Sequence, residues 1–599
     1  MDMINVKVNG TQVSVPKGST VLEAARLAGI NVPTLCFLKD INAIGACRIC
    51  VVEVKGARSL AAACVYPAAD GMEVFTNTPQ VLDSRRKTLQ LILSSHEKKC
   101  LSCVRSGNCE LKQLAFDLGI EDEDYFSGEN HKYEIDDSAA HLTRDNNKCI
   151  LCRHCSAVCD KNQKVGVIGA NERGFATHIG CAFEVGLAET ACISCGQCIA
   201  VCPVGAITEK DSTGDVLKAI ADPDKYVIVQ TAPAVRAALG EEFGMAMGTN
   251  VEGKMAASLR RMGFDGVFDT NFTADLTVME EATELVERVK NGGKLPMITS
   301  CSPGWVKYCE HYFPDLIENL SSCKSPMQMF GAVAKTYYAQ KLNIKPEDMV
   351  VVAVMPCTAK KFEIGRDNQS AACKLNEGSA HCEGNSDCKG KGSIPDVDIS
   401  ITTRELARLI KRLGIKFNDL PDEKFDEPFG IYTGAGVIFG ATGGVMEAAL
   451  RTAVKLITGE EASDINFNEV RGTKGIKEAT YKVGDLDVKV AVASGTANAD
   501  ELLKKVQSGE ADYTFIEIMA CPGGCVNGGG QPHVPGHIYN FEDIKAIRAK
   551  ALYDSDAACE LRRAHENPAI KTIYDEFFGK PGGEKAHKAF HTSYVSRGL

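Results

Sequence analysis

Three things are missing from this 599-residue chain. No stretch reaches the roughly eighteen consecutive apolar residues of a membrane-spanning helix, so no span is expected. The opening MDMINVKVNG has no basic segment leading into an apolar run, so no signal peptide is expected. Positive charge is not in excess either. The formal net charge is −11, which argues against nucleic acid as a partner and suits an acidic soluble protein. The hydrophobic fraction of 44% is ordinary for a globular chain. The length is too great for one core, so three or four domains are expected. Cysteine, by contrast, is abundant. The 26 cysteines do not fit a disulfide scaffold, which is usually small and secreted. Their clustering at two- and three-residue gaps points to metal and to a reducing cytoplasm.

The cysteines fall into successive sets. Residues 1–78 open with an alternating pattern and an Asn9-Gly10 turn, which predicts a β-hairpin, followed by a short helix over 19–29. Cys36, Cys47, Cys50 and Cys64 come next. Their first gap is longer than the plant-type 2Fe–2S spacing, so spacing alone leaves a zinc site open beside a 2Fe–2S cluster. Residues 79–139 begin with a helix-like stretch and bring His96, Cys100, Cys103 and Cys109 into metal-ligand spacing. By itself a set of three cysteines and a histidine favours zinc. Residues 140–211 carry Cys149-x2-Cys152-x2-Cys155-x3-Cys159 and Cys192-x2-Cys195-x2-Cys198-x3-Cys202-Pro203. That is the bacterial two-cluster ferredoxin pattern, in which each run's fourth cysteine ligates the other cluster. One cluster takes Cys149, Cys152, Cys155 and Cys202, and the other takes Cys192, Cys195, Cys198 and Cys159. Cys181 is left over and reads as a buried thiol.

From 212 to 599, strand-like runs (YVIVQTAP, GVFDT, MVVVAVMPC, DISITT) alternate with amphipathic helices. This is the pattern of an α/β domain with parallel sheet. Three loops in it carry cysteine: TSCSPGW at Thr299–Trp305, MPCTAKKFE at Met355–Glu363, and EIMACPGGCVNGGGQP at Glu517–Pro532. The first two follow apolar runs, so their cysteines sit where a buried strand gives way to a loop, which is where open α/β sheets bind ligands. The glycines of the third let backbone approach a bulky guest.

With these loops and the cluster sets ahead of them, nearly the whole chain resembles the FeFe hydrogenases of the large clostridial type. The resemblance implies an α/β catalytic domain carrying an H-cluster, preceded by α+β ferredoxin-like iron–sulfur domains. It makes the first set a 2Fe–2S site and the His96 set a 4Fe–4S site, giving one 2Fe–2S cluster and three accessory 4Fe–4S clusters. The H-cluster is a 4Fe–4S cubane joined to a diiron unit with carbonyl, cyanide and a bridging dithiolate amine. Cys357, Cys521 and Cys525 are then cubane ligands, with Cys525 the bridging thiolate. Lys360 donates to a cyanide, Met355 and Met519 pack on the diiron unit, and Pro233 and Phe439 wall the cavity. Glu281 and Glu284 lie three apart on a helix and share a face. With Ser321, Arg288 and Cys301 they match the family's proton path. The implied reaction is the reversible reduction of two protons to dihydrogen. Reduced ferredoxin or flavodoxin is the expected electron partner, and maturation proteins build the diiron unit.

The chain departs from the family at Cys301–Ser302, where the motif most often has adjacent cysteines, a proton relay and then the fourth cubane ligand. A serine oxygen is a poor iron–sulfur ligand beside a thiolate. Ser302, Cys301 or Cys323 can fill the fourth position, and Cys301 is favoured as the residue nearest both jobs. Residues 368–392, with Cys373, Cys382, Cys388 and His381, read as a long surface loop. The glycine order in GAGVIFGATGG is wrong for a dinucleotide loop, and the stretch reads as cavity lining. Two other functions are weighed: the catalytic subunit of an NAD(P)-linked or bifurcating complex, and a non-catalytic cluster scaffold or hydrogen sensor.

Overall fold

A computed structural model describes residues 2–121, 130–375, 393–462 and 464–598. The amino-terminal hairpin forms as expected: Met3–Val8 pairs antiparallel with Thr11–Pro16. Both turn residues, Asn9 and Gly10, have positive φ (47° and 89°), as a two-residue hairpin turn requires. Met72–Phe75 adds parallel to the first strand, and Val51–Val54 and Ala61–Ala62 complete a five-stranded sheet. The helix Val21–Leu27 starts at a Thr20–Glu23 capping box and buries Val21, Leu22, Ala24 and Ala25 on this sheet. The helix Pro79–Ser94 then leads to the His96 segment.

The carboxy-terminal part is built on two four-stranded sheets. In the first, Gly266–Asp269, Tyr226–Thr231, Met349–Met355 and Ile399–Thr402 lie side by side, all parallel. Six of the seven residues of Met349–Met355 are buried, as a strand covered on both faces demands. In the second, Met297–Ile298, Phe515–Met519 and Leu486–Ser494 are parallel, and Ile476–Val483 closes the edge antiparallel. The predicted parallel pattern is therefore interrupted by one hairpin, whose outer strand is half exposed and alternates accordingly.

Long buried helices join the sheets. Thr270–Asn291 runs 22 residues with fourteen of them buried, Glu280 and Glu281 included. Thr403–Arg412 starts at a Thr402–Glu405 capping box. The predicted surface loop over 368–392 is corrected in its first part. Ala371–Leu375 is helical, Cys373 is buried, and its sulfur accepts from the Ile394 amide at 3.5 Å. The consecutive small side chains of Ala371, Ala372 and Cys373 let this turn sink against the core. Cys382, Cys388 and His381 lie outside the described residues. Cys181 is a buried thiol as expected, with Arg144 Nη1 at 3.8 Å. Among the described residues, no helix is long and apolar enough to cross a membrane.

Candidate active site

The carboxyl ends of both sheets meet at one cavity. Pro233 follows Tyr226–Thr231, and Met355 and Cys357 end Met349–Met355 in the first sheet. Cys301 and Ser302 follow Met297–Ile298, and Met519 and Cys521 end Phe515–Met519 in the second. Cys525, Lys360, Phe439 and Gly440 complete the lining. Chain reversal at a strand's carboxyl end leaves room for a ligand, and here two sheets supply that edge to the same space. Ser302 caps the helix Pro303–Tyr312, whose amino terminus, with Pro303 first, opens on the cavity and favours negative charge there.

The glycines of 523–530 have a second use beside the expected one, since Gly524 and Gly528 do line the cavity. A Cβ on Gly528 would stand 2.1 Å from the Pro356 carbonyl oxygen, one on Gly529 2.3 Å from that of Cys195, and one on Gly530 3.0 Å from the Cys357 amide. They also let this loop press against the other loops. Gly528→Ala is expected to fold and keep the accessory clusters but to leave the cavity unable to load, read as lost iron and absent carbonyl bands in the infrared.

Cys357, Cys521 and Cys525 lie within electrostatic reach of one another. Burial pushes all three thiols up, Cys525 to about 12, so the charge of a bound metal is needed to hold them as thiolates. This donor set fits an iron–sulfur cubane short of one thiolate. Cys301 lines the same cavity; burial raises its thiol first, and the groups that then act on it are Glu281, Cys525, Lys360 and Glu517. Ser302 Oγ accepts from the Ala520 amide at 3.2 Å, beside Cys521. Cys323 is absent from the lining and sits with Glu284 and His591, so it does not move into the fourth position.

Behind Cys301 lies Glu281, fully buried, with Oε2 unpaired among the described residues. Burial first, then the neighbouring Glu284 charge, raises its pKa from 4.5 to about 8. Ser321 Oγ donates to Glu284 Oε2 at 3.0 Å, and Arg288 Nη2 donates to Glu284 Oε1 at 2.6 Å. Ser321, Glu284 and Arg288 are thus joined by hydrogen bonds, and Glu281 acts electrostatically on Cys301. Lys360 Nζ donates to the Cys301 carbonyl at 3.3 Å and to Glu363 Oε2 at 2.7 Å. Glu363 was missed, although its place three residues after Lys360 on a helix was a readable signal.

The ferredoxin-like cysteines enclose two voids. One is lined by Cys149, Cys152, Cys155 and Cys202, the other by Cys159, Cys192, Cys195 and Cys198, the crossed sets that the spacing predicts. Cys195 lines both the second void and the large cavity. Around it the chain is knitted: Gln197 Nε2 donates to the Asn527 carbonyl at 2.9 Å, and Thr358 Oγ1 to the Ser194 carbonyl at 2.9 Å. Buried Arg404 joins Glu209 at 2.8 Å to the carbonyls of Gly529 (2.8 Å) and Gln531 (2.5 Å). Arg404→Ala is expected to cost about 3 kcal/mol, the low end for a broken buried pair because Arg408 still holds Glu209. The check is a lowered thermal midpoint. In the amino-terminal sheet, Cys50 and Cys64 sulfurs are 3.3 Å apart, and the Cys47 amide donates to Cys36 Sγ at 3.4 Å. His96 Nδ1 bonds the Lys148 carbonyl at 2.9 Å, which holds the ring and leaves Nε2 as the atom that could take a metal.

Comparison with known proteins places this arrangement. Residues 225–529 match the C-terminal domain of the iron only hydrogenase large subunit, and 542–597 match the iron hydrogenase small subunit. Residues 1–79 match a 2Fe-2S iron-sulfur cluster binding domain, 85–124 the NADH-ubiquinone oxidoreductase-G iron-sulfur binding region, and 148–206 a 4Fe-4S dicluster domain. The chain is 50% identical to the NADP-reducing hydrogenase subunit HndD of Solidesulfovibrio fructosivorans, over 100% of both chains. It is 42% identical to iron hydrogenase 1 of Clostridium pasteurianum, over 99% of this chain and 100% of that one. The solved [FeFe]-hydrogenase HydA1 of Chlamydomonas reinhardtii superposes with a TM-score of 0.55 at 41% identity, covering 65% of this chain and all of that one. The chain is a hydrogenase-type iron–sulfur oxidoreductase. It belongs to the FeFe hydrogenase family, with a catalytic domain preceded by 2Fe–2S and 4Fe–4S ferredoxin-like domains.

Proposed function

We propose that this chain interconverts two protons and two electrons with dihydrogen at an H-cluster held by Cys357, Cys521 and Cys525, with Ser302 at the fourth corner. The observation that carries this reading is Cys195, which lines both an accessory-cluster void and the cavity, so that an electron route can reach the cavity from the accessory clusters. When bound, the H-cluster supplies the metal chemistry that makes and splits the H–H bond. The residues supply the rest. Cys301 passes a proton between the cavity and Glu281, which burial keeps protonated through neutral pH. Ser321 and Glu284 carry it on toward Arg288 and the surface. Lys360, held by Glu363 and the Cys301 carbonyl, presents a fixed positive charge to an anionic ligand of the cluster. Met355, Met519, Phe439 and Pro233 keep water out of the cavity.

In this reading Cys301 is the relay, since after burial Glu281 is the first group that acts on its thiol, and the ligand role goes to Ser302, whose Oγ accepts from the Ala520 amide next to Cys521 in the chain. Four accessory clusters carry electrons through domains 1–78, 79–139 and 140–211 to a partner protein in the cytoplasm. Reduced ferredoxin is one such partner. A pyridine-nucleotide-linked partner subunit is the second reading, favoured by the full-length similarity to an NADP-reducing hydrogenase subunit. A scaffold or sensor has no need of an orphaned acid in line with a retained Cys301. The isolated matured chain, given hydrogen and either ferredoxin or NADP+, decides the partner. Ferredoxin reduction alone supports the first reading. NADP+ reduction that appears only with added partner subunits supports the second, and reduction of neither under any partner contradicts both.

A further inference from the structure

Around Glu284, near the outer end of the proton route, lies a cluster whose other two members, Cys323 and His591, the route does not use. Glu284 is on the helix Thr270–Asn291, Cys323 precedes the helix Pro326–Val333, and His591 follows the helix Glu584–Phe590. Cys323 and His591 face each other across an isolated antiparallel bridge. One Glu284 oxygen, Cys323 Sγ and one His591 nitrogen all lie within 4.8 Å of one another.

We propose that Glu284, Cys323 and His591 bind a zinc-class divalent cation, and that the bound ion closes the proton route by occupying Glu284. Thiolate, imidazole and carboxylate are the donors zinc takes, and three protein ligands leave a fourth position for water. The sulfur disfavours magnesium and calcium, which prefer oxygen throughout.

The three side chains are already oriented. Cys323 Sγ donates toward Glu284 Oε2 at 3.6 Å, while Arg288 pins the other carboxylate oxygen. His591 bonds Ser322 Oγ through Nδ1 at 2.7 Å and Glu280 Oε2 through Nε2 at 3.1 Å. One of these contacts yields to the ion, and the other holds the ring, as metal-binding imidazoles are usually held. Access is from the Glu284 side. Its side chain is 14% exposed while Cys323 and His591 are buried. Exposed His587 stacks on His591 at 4.4 Å between ring centroids and marks the rim. On binding, the Cys323 S–H bond breaks, a metal–sulfur bond forms and one proton leaves to solvent.

The closure half rests on the proton route proposed above; the binding half does not. The test adds zinc ion alone to the matured holoenzyme and follows zinc-edge X-ray absorption together with hydrogen evolution. Expected is one zinc per chain with a single sulfur at about 2.3 Å among nitrogen and oxygen neighbours at about 2.0–2.2 Å, and at least a tenfold loss of rate. Cys323→Ala is expected to remove the sulfur signal and to raise the zinc needed for inhibition by at least 10–100-fold. His591→Gln should also raise it while keeping the sulfur. Each variant is compared with its own zinc-free rate, and its infrared bands report that the catalytic domain is intact. Three or four sulfurs around zinc would mean that it replaces iron in a cluster site and would overturn the proposal, as would equal inhibition in both variants. Zinc held by one sulfur with undiminished rate would overturn the closure. Glu284→Gln assayed without zinc tests the proton route by itself, so failure of the route and failure of the site are told apart.

Discussion

Replacing Glu281 by glutamine is expected to lower hydrogen evolution by roughly 10²–10⁴-fold, the usual worth of a positioned general acid or base. The side chain keeps its size and its place on the buried helix face, so cluster content and electron paramagnetic resonance signals should not change. The loss follows from the position of Glu281 between Cys301 and the Ser321–Glu284 pair, with one oxygen unpaired among the described residues. An amide there accepts and donates hydrogen bonds but does not carry a proton across. The same substitution has a stability signature of definite sign. Glu281 has its folded-state pKa raised to about 8 from 4.5. Below the lower value both folded and unfolded chains are protonated, and burial of the neutral acid costs nothing further. As pH rises toward the upper value only the unfolded chain ionises, so the wild-type protein loses stability relative to Glu281→Gln, by on the order of 4 kcal/mol. Thermal midpoints of the two proteins at pH 5 and pH 8 check this. The gap should widen with pH in favour of the variant.

Replacing Cys357 by alanine is expected to abolish activity. In the proposed reading Cys357, Cys521 and Cys525 hold the cubane, with the weaker oxygen of Ser302 at the fourth corner. On that reading the site is already short of one thiolate. With two thiols left, the cubane and everything joined to it should fail to assemble, and the rate should fall to background. The accessory sites are built by other segments and close their own voids, so their signals should remain. Iron analysis and low-temperature paramagnetic resonance of the variant against the parent separate these outcomes. Loss of every cluster signal would mean that the domains depend on one another more than their separate voids imply. By contrast, Cys323→Ala should leave the cubane in place, since Cys323 is no part of the lining.

Local features were legible in the sequence and long-range juxtapositions were not. The crossed cluster sets could be read because cluster ligands come in short runs with fixed spacing. The amino-terminal hairpin was carried by Asn9-Gly10, and the four strands of the parallel sheet by their apolar runs. The antiparallel edge strand Ile476–Val483 escaped notice because its alternation is that of a half-exposed surface strand, not of a buried run. The loop-packing role of Gly528, Gly529 and Gly530 was not legible for another reason. Their partners, Pro356, Cys195 and Thr402, are distant in the chain, and nothing local says whether a glycine meets a guest or another loop. Arg404 and Cys195 join domains that lie apart along the sequence. Cys323 was weighed as a cluster ligand because a thiol near the motif looks available, whereas the fold turns it toward Glu284 and His591.

The most direct measurement is an infrared spectrum of the anaerobically matured protein titrated with hydrogen. The account predicts carbonyl and cyanide bands that shift as hydrogen is added, in the parent protein with Ser302 in place. A matured, iron-loaded protein with no such bands, or with bands that hydrogen leaves unmoved, would contradict it.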